Sequence, residues 1–504
     1  MSLTSFLRPF LCRRLKDFEL YASRPEELQA KVLRRLLHDA ARTTWGRDHG
    51  YGETGDYATY AARVPLQTYD DIRPYVDRMR GGEKNLLWPS DIRWYAQSSG
   101  TTNDRSKYIP VSREGLRDIH YRGGTDCVAA YLGINPASRF FSGKGLILGG
   151  SFNKQPNPDG SRVGDLSAVL MQNINPLVNL IRVPSKEVAL LGEWETKIER
   201  LACGTMSCNV TNLSGVPSWM LVVLKRILEI TGKGGIEEVW PGIEVFFHGG
   251  VSFTPYREQY EGLIRSDRMH YVETYNASEG FFGIQTDLSD PSMMLMIDYG
   301  VFYEFIPMAE FGKPDARAVC LADVEVGKNY AMVISTSCGL WRYVIGDTVM
   351  FTSKRPYKFR ITGRTKHFIN AFGEELIVDN AERGLARACE ATGAKVLDYS
   401  AAPVYMNSEG KCRHQWLVEF AVMPDSVDRF ATVLDAALRD VNSDYDAKRT
   451  KDIALQRLEV VVARPGLFND WLKSKGKLGG QHKVPRLSNT RDLLDEMLAF
   501  NSEG

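Results

Sequence analysis

The chain of 504 residues carries 63 Lys+Arg against 62 Asp+Glu, a net charge of +1, with 43% hydrophobic and 25% charged residues. That length exceeds what one hydrophobic core serves, so two or three domains with a ligand-binding cleft are expected. Balanced charge offers no general field for nucleic acid or an anionic membrane. The eight cysteines form no CxxC and no zinc spacing, which fits a reduced, cytoplasmic protein.

The first sixteen residues hold Arg8, Arg13, Arg14 and Lys16 without an acid. Pro9 would interrupt the amphipathic helix of a transit peptide, so a terminal segment packed on the main domain is expected. From Pro25 to Arg42, Leu28, Val32, Leu36 and Leu37 recur at helical spacing, predicting a surface helix packed on a core. The stretch Ser98-Ser99-Gly100-Thr101-Thr102-Asn103-Asp104-Arg105-Ser106-Lys107 follows. It combines a glycine, hydroxyls and two cations with no apolar side chain. Backbone N–H groups, hydroxyls and a terminal lysine can together wrap phosphate, although such a cluster alone also describes a plain solvated turn. No stretch matches GxxxxGK[ST], and Gly143-Lys144-Gly145 followed by Gly149 is one residue too long for GxGxxG.

Arg113 to Leu132 is predicted as a helix, with Gly123-Gly124 as a candidate break, and Gly145 to Gly150 as a buried strand. Strand character recurs at 243–247, 294–297, 301–306 and 330–335, and helical patterns fill 187–202 and 217–231. This alternation predicts an α/β domain whose strands deliver loops to one edge. The most membrane-like run, Trp219 to Leu228, is cut by Lys225 and Arg226, so no bilayer span is expected. The pattern changes near Thr362-Gly363-Arg364-Thr365-Lys366, giving expected domains at 1–364 and 365–504. The smaller, α+β domain has predicted helices near 379–391 and 425–441 and strands near 415–422 and 457–463. A glycine-rich basic segment, Lys473 to Lys483, reads by itself as a solvated loop.

Two further stretches bear on chemistry. Tyr275-Asn276-Ala277-Ser278-Glu279-Gly280 places an aromatic, a hydroxyl and a carboxylate at the predicted end of a strand. Leu340-Trp341-Arg342-Tyr343-Val344-Ile345-Gly346-Asp347 places an aspartate after a glycine at another predicted strand end, where its oxygens could bind both ribose hydroxyls. With Arg364, Lys366 and the basic loop ending at Lys483, the set resembles the adenylate-forming enzymes: acyl-CoA synthetases, peptide-synthetase adenylation domains and firefly luciferase. SSGTTNDRSKYIP, YNASEGFFG, GLWRYVIGD and GQHKVPR together are similar to the auxin-responsive acyl-acid amido synthetases, the Gretchen Hagen family, particularly bacterial members, over nearly the whole chain. The chain departs from plant members at His248-Gly249-Gly250.

The resemblance implies a large N-terminal adenylate-forming domain of β-sheets flanked by helices and a mobile α+β C-terminal domain. It assigns ATP phosphate to Ser98, Ser99, Thr101, Thr102 and Lys107, adenine to Tyr275, a phosphate donor to Ser278 and Mg²⁺ to Glu279. Asp347 matches the ribose ligand, Arg364 its helper, Lys366 the hinge, and Lys483 the lysine that bridges acyl carboxylate and α-phosphate. His120, Tyr121 and Arg122, with His248, Gly249 and Gly250, are acyl-pocket candidates, the glycines permitting close backbone approach to a ligand. The expected partners are a carboxylic acid and an amine, expected to be that of an amino acid, with ATP and Mg²⁺, no nucleic acid and no membrane; the chain is read as a monomer or weak homo-oligomer. Rival readings are a coenzyme A thioester ligase with the same first step, and a non-catalytic ATP-binding protein. No serine nucleophile is required, and no GxSxG is present.

Overall fold

The computed structural model describes residues 3–98, 107–250, 253–313, 315–365, 368–369, 374, 376–404, 412–442, 445–446, 449, 455–475, 484–488 and 490–502. The chain forms two compact units, Met1–Ile345 with Met350–Arg360, and Gly346–Val349 with Ile361–Gly504.

In chain order, the strands up to Arg364 are β1 (Trp94–Ser98), β2 (Lys107–Val111), β3 (Lys144–Ile147), β4 (Arg162–Gly164), β5 (Arg182–Val183), β6 (Val210–Gly215), β7 (Val245–His248), β8 (His270–Ala277), β9 (Gly280–Gln285), β10 (Met293–Leu295), β11 (Val301–Pro307), β12 (Val319–Cys320), β13 (Asn329–Thr336), β14 (Tyr343–Lys354) and β15 (Tyr357–Arg364), of which residues 346–349 and 361–364 belong to the second unit. A small sheet runs β2-β1-β4, and a twelve-stranded sheet runs β12-β11-β13-β14-β15-β10-β9-β8-β7-β6-β3-β5. The latter is mixed. Strands β5, β3, β6, β7 and β8 are parallel, whereas β8, β9 and β10 pair antiparallel. Strand β8 is therefore the seam between the two halves.

The parallel half is apolar because helices cover it. Every residue of β7 is buried, and helices Trp194–Thr205 and Pro217–Thr231 contribute Leu201, Leu224 and Ile227 to a core with Leu146, Leu213, Trp240 and Phe246. Helix Pro25–Ala40 forms as its spacing predicts. Proline at its first turn, Glu26 and Glu27 beside the N-terminal dipole, and buried Val32, Leu33, Leu36 and Leu37 all favour it.

Two local expectations need correction. The N-terminal segment is helical over Leu3–Leu11, straight through Pro9. One helical hydrogen bond is lost there, but Arg8 donates to the carbonyls of Leu132 and Asn135, each at 3.2 Å. Arg14 adds ion pairs to Asp126 at 2.9 Å and Asp298 at 2.7 Å. Gly123-Gly124 also breaks nothing: a π-helical stretch Gly115–Tyr121 passes directly into helix Arg122–Ile134. A Cβ on Gly123 would lie 2.4 Å from the Phe281 ring, so glycine lets the helix approach β9.

In the second unit, Lys395–Val404, Arg413–Val422 and Glu459–Ala463 form a three-stranded sheet. Helices Val378–Thr392 and Val427–Val441 close a core containing Leu385, Tyr399, Trp416, Phe430 and Leu434. Among the described residues, no helix is long and apolar enough to cross a membrane.

Arg342, inside the sequence stretch singled out above, is a tie within the first unit. Its Nε and Nη2 donate to the Glu304 carboxylate at 2.8–3.1 Å, and its Nη1 donates to the carbonyls of Ala61 and Val64 at 2.9 and 2.7 Å. Glu304 is fully buried and also accepts from the Tyr57 hydroxyl at 2.9 Å. Replacing the cation alone strands a buried charge. Arg342→Met is expected to lower stability by about 3–5 kcal/mol, read as the urea unfolding midpoint, and Arg342→Met with Glu304→Leu to recover most of that loss. A double variant as unstable as the single one would show that charge burial is not the cause.

Candidate functional site

The predicted phosphate loop is bounded by the last register pair of β1 and β2, Ser98 opposite Lys107. Ser99, Thr101 and Thr102 lie outside the described residues. Lys107 is half-buried, donates to the Tyr343 hydroxyl at 3.4 Å, and lies 5.9 Å and 6.0 Å from the ring centres of Tyr69 and Tyr343. The ammonium therefore meets Tyr343 at its hydroxyl rather than over its ring face, with the Tyr69 ring nearby.

The Tyr275–Gly280 stretch forms the end of β8, a two-residue turn and the start of β9, with Ala277 opposite Gly280. Tyr275 is buried, edge-on to Phe282 at 4.9 Å and 6.1 Å from Phe359. Ser278 and Glu279 are the turn. Hairpin turns normally face water, yet these two residues are only 7% and 6% exposed. A carboxylate held there sits on a rigid hairpin at the seam of the large sheet.

On the helix side, His120 is buried, and its Nδ1 lies 3.1 Å from the Asn276 carboxamide oxygen. Burial lowers its pKa to about 4, partly opposed by that hydrogen bond. Tyr121 donates to the Leu170 carbonyl at 2.8 Å, and Arg122 donates to the Asp298 carboxylate at 2.7 Å. His120 thus contacts the Tyr275–Gly280 stretch, while Tyr121 and Arg122 bond to other parts of the first unit.

His248 ends β7 and stacks on Phe253, with ring centres 4.1 Å apart and planes inclined by 20°. Burial, aided by nearby Arg257, lowers its pKa to about 3. A Cβ on Gly249 would fall 2.2 Å from the Thr274 carbonyl, so the close approach that this glycine allows is to β8 itself. Gly250 adopts φ +80°, a left-handed backbone.

In the second unit, Arg364 Nε donates to Asp347 Oδ1 at 2.7 Å. The structure thus brings the two predicted ribose residues together. Asp347 is not at a strand end, as expected, but inside β14. Gly346 at φ +92° turns the backbone without ending the strand, and its carbonyl accepts from the Thr365 amide at 2.8 Å. Lys366 and Lys483 lie outside the described residues.

Two neighbours escaped the sequence reading. Asn276 lies within the quoted stretch, but its partner is 156 positions away. Glu273 is the register partner of His248, and burial pushes its pKa up to about 7 against the pull of Arg360 and Arg257. The period-2 alternation of β8, which puts Glu273 on the face of Tyr275, was the available signal.

The chain is similar to known proteins over nearly its whole length. Three family descriptions match in order: the GH3 family N-terminal domain over residues 14–269, the central domain over 294–364 and the C-terminal domain over 379–492. Indole-3-acetic acid-amido synthetase GH3.8 of Oryza sativa subsp. indica is 25% identical, with 94% of this chain and 90% of the relative covered. The 4-substituted benzoates-glutamate ligase GH3.12 of Arabidopsis thaliana is 24% identical, with 94% of each covered. Among solved structures, the GH3.15 acyl acid amido synthetase superposes with a TM-score of 0.78 at 20% identity, covering 98% of this chain and 96% of that one. A 2-hydroxyisobutyryl-CoA ligase in the postadenylation state gives 0.56 at 14% identity, covering 100% and 94%. The fold is that of the adenylate-forming enzymes, and the chain belongs to the GH3 family.

Proposed function

We propose that the Ser278–Glu279 turn and Lys107 are parts of one nucleotide site, and that the chain is an ATP-dependent acyl-acid amido synthetase. A carboxylate oxygen of the acid attacks the α-phosphorus of ATP, forming an acyl adenylate and releasing pyrophosphate. An amine, taken here as that of an amino acid, then attacks the acyl carbon, forming the amide, releasing AMP and giving up a proton. The first step brings two anions together, so cations rather than a base must carry it.

The observation that supports this reading most directly is the burial of Glu279 and its chain neighbour Ser278 on a turn where a surface acid would ordinarily be solvated. A single hard oxygen donor suits Mg²⁺, which takes few protein ligands and keeps phosphates and waters. When bound, the ion supplies charge neutralisation at the phosphate oxygens; Glu279 would hold it. In the same reading Ser98, Ser99, Thr101, Thr102 and Lys107 take the phosphates, and Tyr275 lies beside adenine. Asp347 takes the ribose hydroxyls, with Arg364 orienting its carboxylate. His120, Tyr121, Arg122, His248, Gly249 and Gly250 line the acyl side, Lys366 is the hinge, and Lys483 bridges the carboxylate and the α-phosphate. The eight free cysteines support a cytoplasmic location.

Pyrophosphate release and product mass, measured over carboxylic acids with pooled amino acids or with coenzyme A, test the function. Amide products support it, and thioester products would replace it with a coenzyme A ligase. Glu279→Gln is expected to reduce turnover on the order of tenfold or more and to alter the Mg²⁺ dependence; an unchanged Mg²⁺ titration removes Glu279 from the site. Asp347→Ala is expected to raise KM for ATP by an amount equivalent to roughly 1.5–3 kcal/mol, because a hydrogen bond to a charged acceptor is lost. Its unfolding midpoint is measured alongside, since the Arg364–Asp347 ion pair is lost. Lys483→Ala should abolish adenylate formation while sparing amide formation from acyl adenylate supplied ready-made. Equal damage to both half-reactions would make Lys483 a structural cation.

A further inference from the structure

The His120 ring is wired on one side only. Its Nδ1 lies 3.1 Å from Asn276 Oδ1, and a carboxamide oxygen can only accept, so the Nδ1 carries the proton and Nε2 presents a lone pair. That Nε2 is buried and has no hydrogen-bond partner among the described residues. Burial holds the ring neutral at ordinary pH, so the acceptor is permanent rather than titrating. The surroundings fix the ring closely. Its stretch is the π-helical turn Gly115–Tyr121, followed by the helix that Gly123 brings against Phe281, and its partner Asn276 precedes Ser278 by two residues on β8. A buried acceptor costs free energy unless a donor reaches it, and a fixed tautomer costs the ring its freedom to donate instead.

We propose that the carboxylic acid used by this enzyme bears a hydrogen-bond donor, a hydroxyl or a ring N–H, which His120 Nε2 accepts; the inference rests on the reading of His120 as part of the acyl side of the site. His120 is then a specificity residue and Asn276 a positioning residue that sets its tautomer. A site that hydrogen-bonds a substrate donor rejects the analogue lacking it, because its own polar atom is then left unpaired.

The test is pyrophosphate release from ATP with matched acids differing only in that donor: hydroxybenzoates against methoxybenzoates, and an indole acid against its N-methyl analogue. The full-length enzyme is expected to favour the donor-bearing member of at least one pair by about tenfold to a hundredfold in kcat/KM. His120→Phe should remove or invert that preference, and His120→Gln, which keeps an acceptor, should restore part of it. Asn276→Leu leaves the ring in place and frees the tautomer, so the preference should fall several-fold, mainly through KM; this variant decides the matter should His120→Phe fail to fold. A preference unchanged in the folded His120→Phe or in Asn276→Leu would overturn the proposal, leaving Nε2 served by water or by another group of the protein. So would a preference that follows the amine instead of the acid. Pyrophosphate release without preference in any pair defeats this inference alone, whereas no release with any acid defeats the proposed function and this inference with it.

Discussion

The Arg342–Glu304 pair is the constraint on which the antiparallel side of the large sheet depends. A carboxylate with no exposure on β11 can exist only if its charge is met and its lone pairs are filled. Arg342, at the start of β14, and the Tyr57 hydroxyl do both. The spare donors of the guanidinium satisfy the carbonyls of Ala61 and Val64 at the end of helix Tyr57–Arg63, so one side chain joins a helix and two strands. Arg342 itself sits at φ +43°, a costly conformation for a side-chain-bearing residue. The bonds that the guanidinium makes at that angle offset the strain. The next residue, Tyr343, receives the hydrogen bond from Lys107. The strained arginine therefore fixes the origin of a strand whose first residue also locates a cation of the candidate site.

Much of the fold was legible because its signals were local. Apolar spacing with a proline start and early acids marks helix Pro25–Ala40, and continuous apolar runs mark β7, β11 and β13. What escaped was non-local. The helix through Pro9 depends on carbonyls near residue 132 and on acids at 126 and 298. The helix through Gly123 depends on the ring of Phe281. Asp347 reads as a strand end because Gly346 looks like punctuation, but a glycine at φ +92° can turn the backbone inside a strand when a neighbouring amide, that of Thr365, meets its carbonyl.

The candidate site divides the same way. The stretches around Ser98, Ser278 and Asp347 were visible as unusual clusters of hydroxyls, carboxylates and cations, since such groups have no packing reason to assemble. The pairing of Asp347 with Arg364 follows from their places on successive strands β14 and β15. The link from His120 to Asn276 had no sequence signal at all, because a buried polar pair across 156 positions leaves no period to detect.

The titratable groups of the first unit suit chemistry in which the first step needs charge rather than a base. An attacking carboxylate is already deprotonated at neutral pH, so a basic imidazole beside it would add nothing to its nucleophilicity. Burial holds His120 and His248 neutral, with pKa values of about 4 and about 3. The second step differs, because an ammonium must lose its proton before it can attack. Glu273, on the strand that carries Tyr275 and opposite His248, is pushed in the other direction, to about 7. Burial therefore has opposite consequences for the two residue types on one seam: it removes the histidines from the titration range of neutral pH and brings a carboxylate into it.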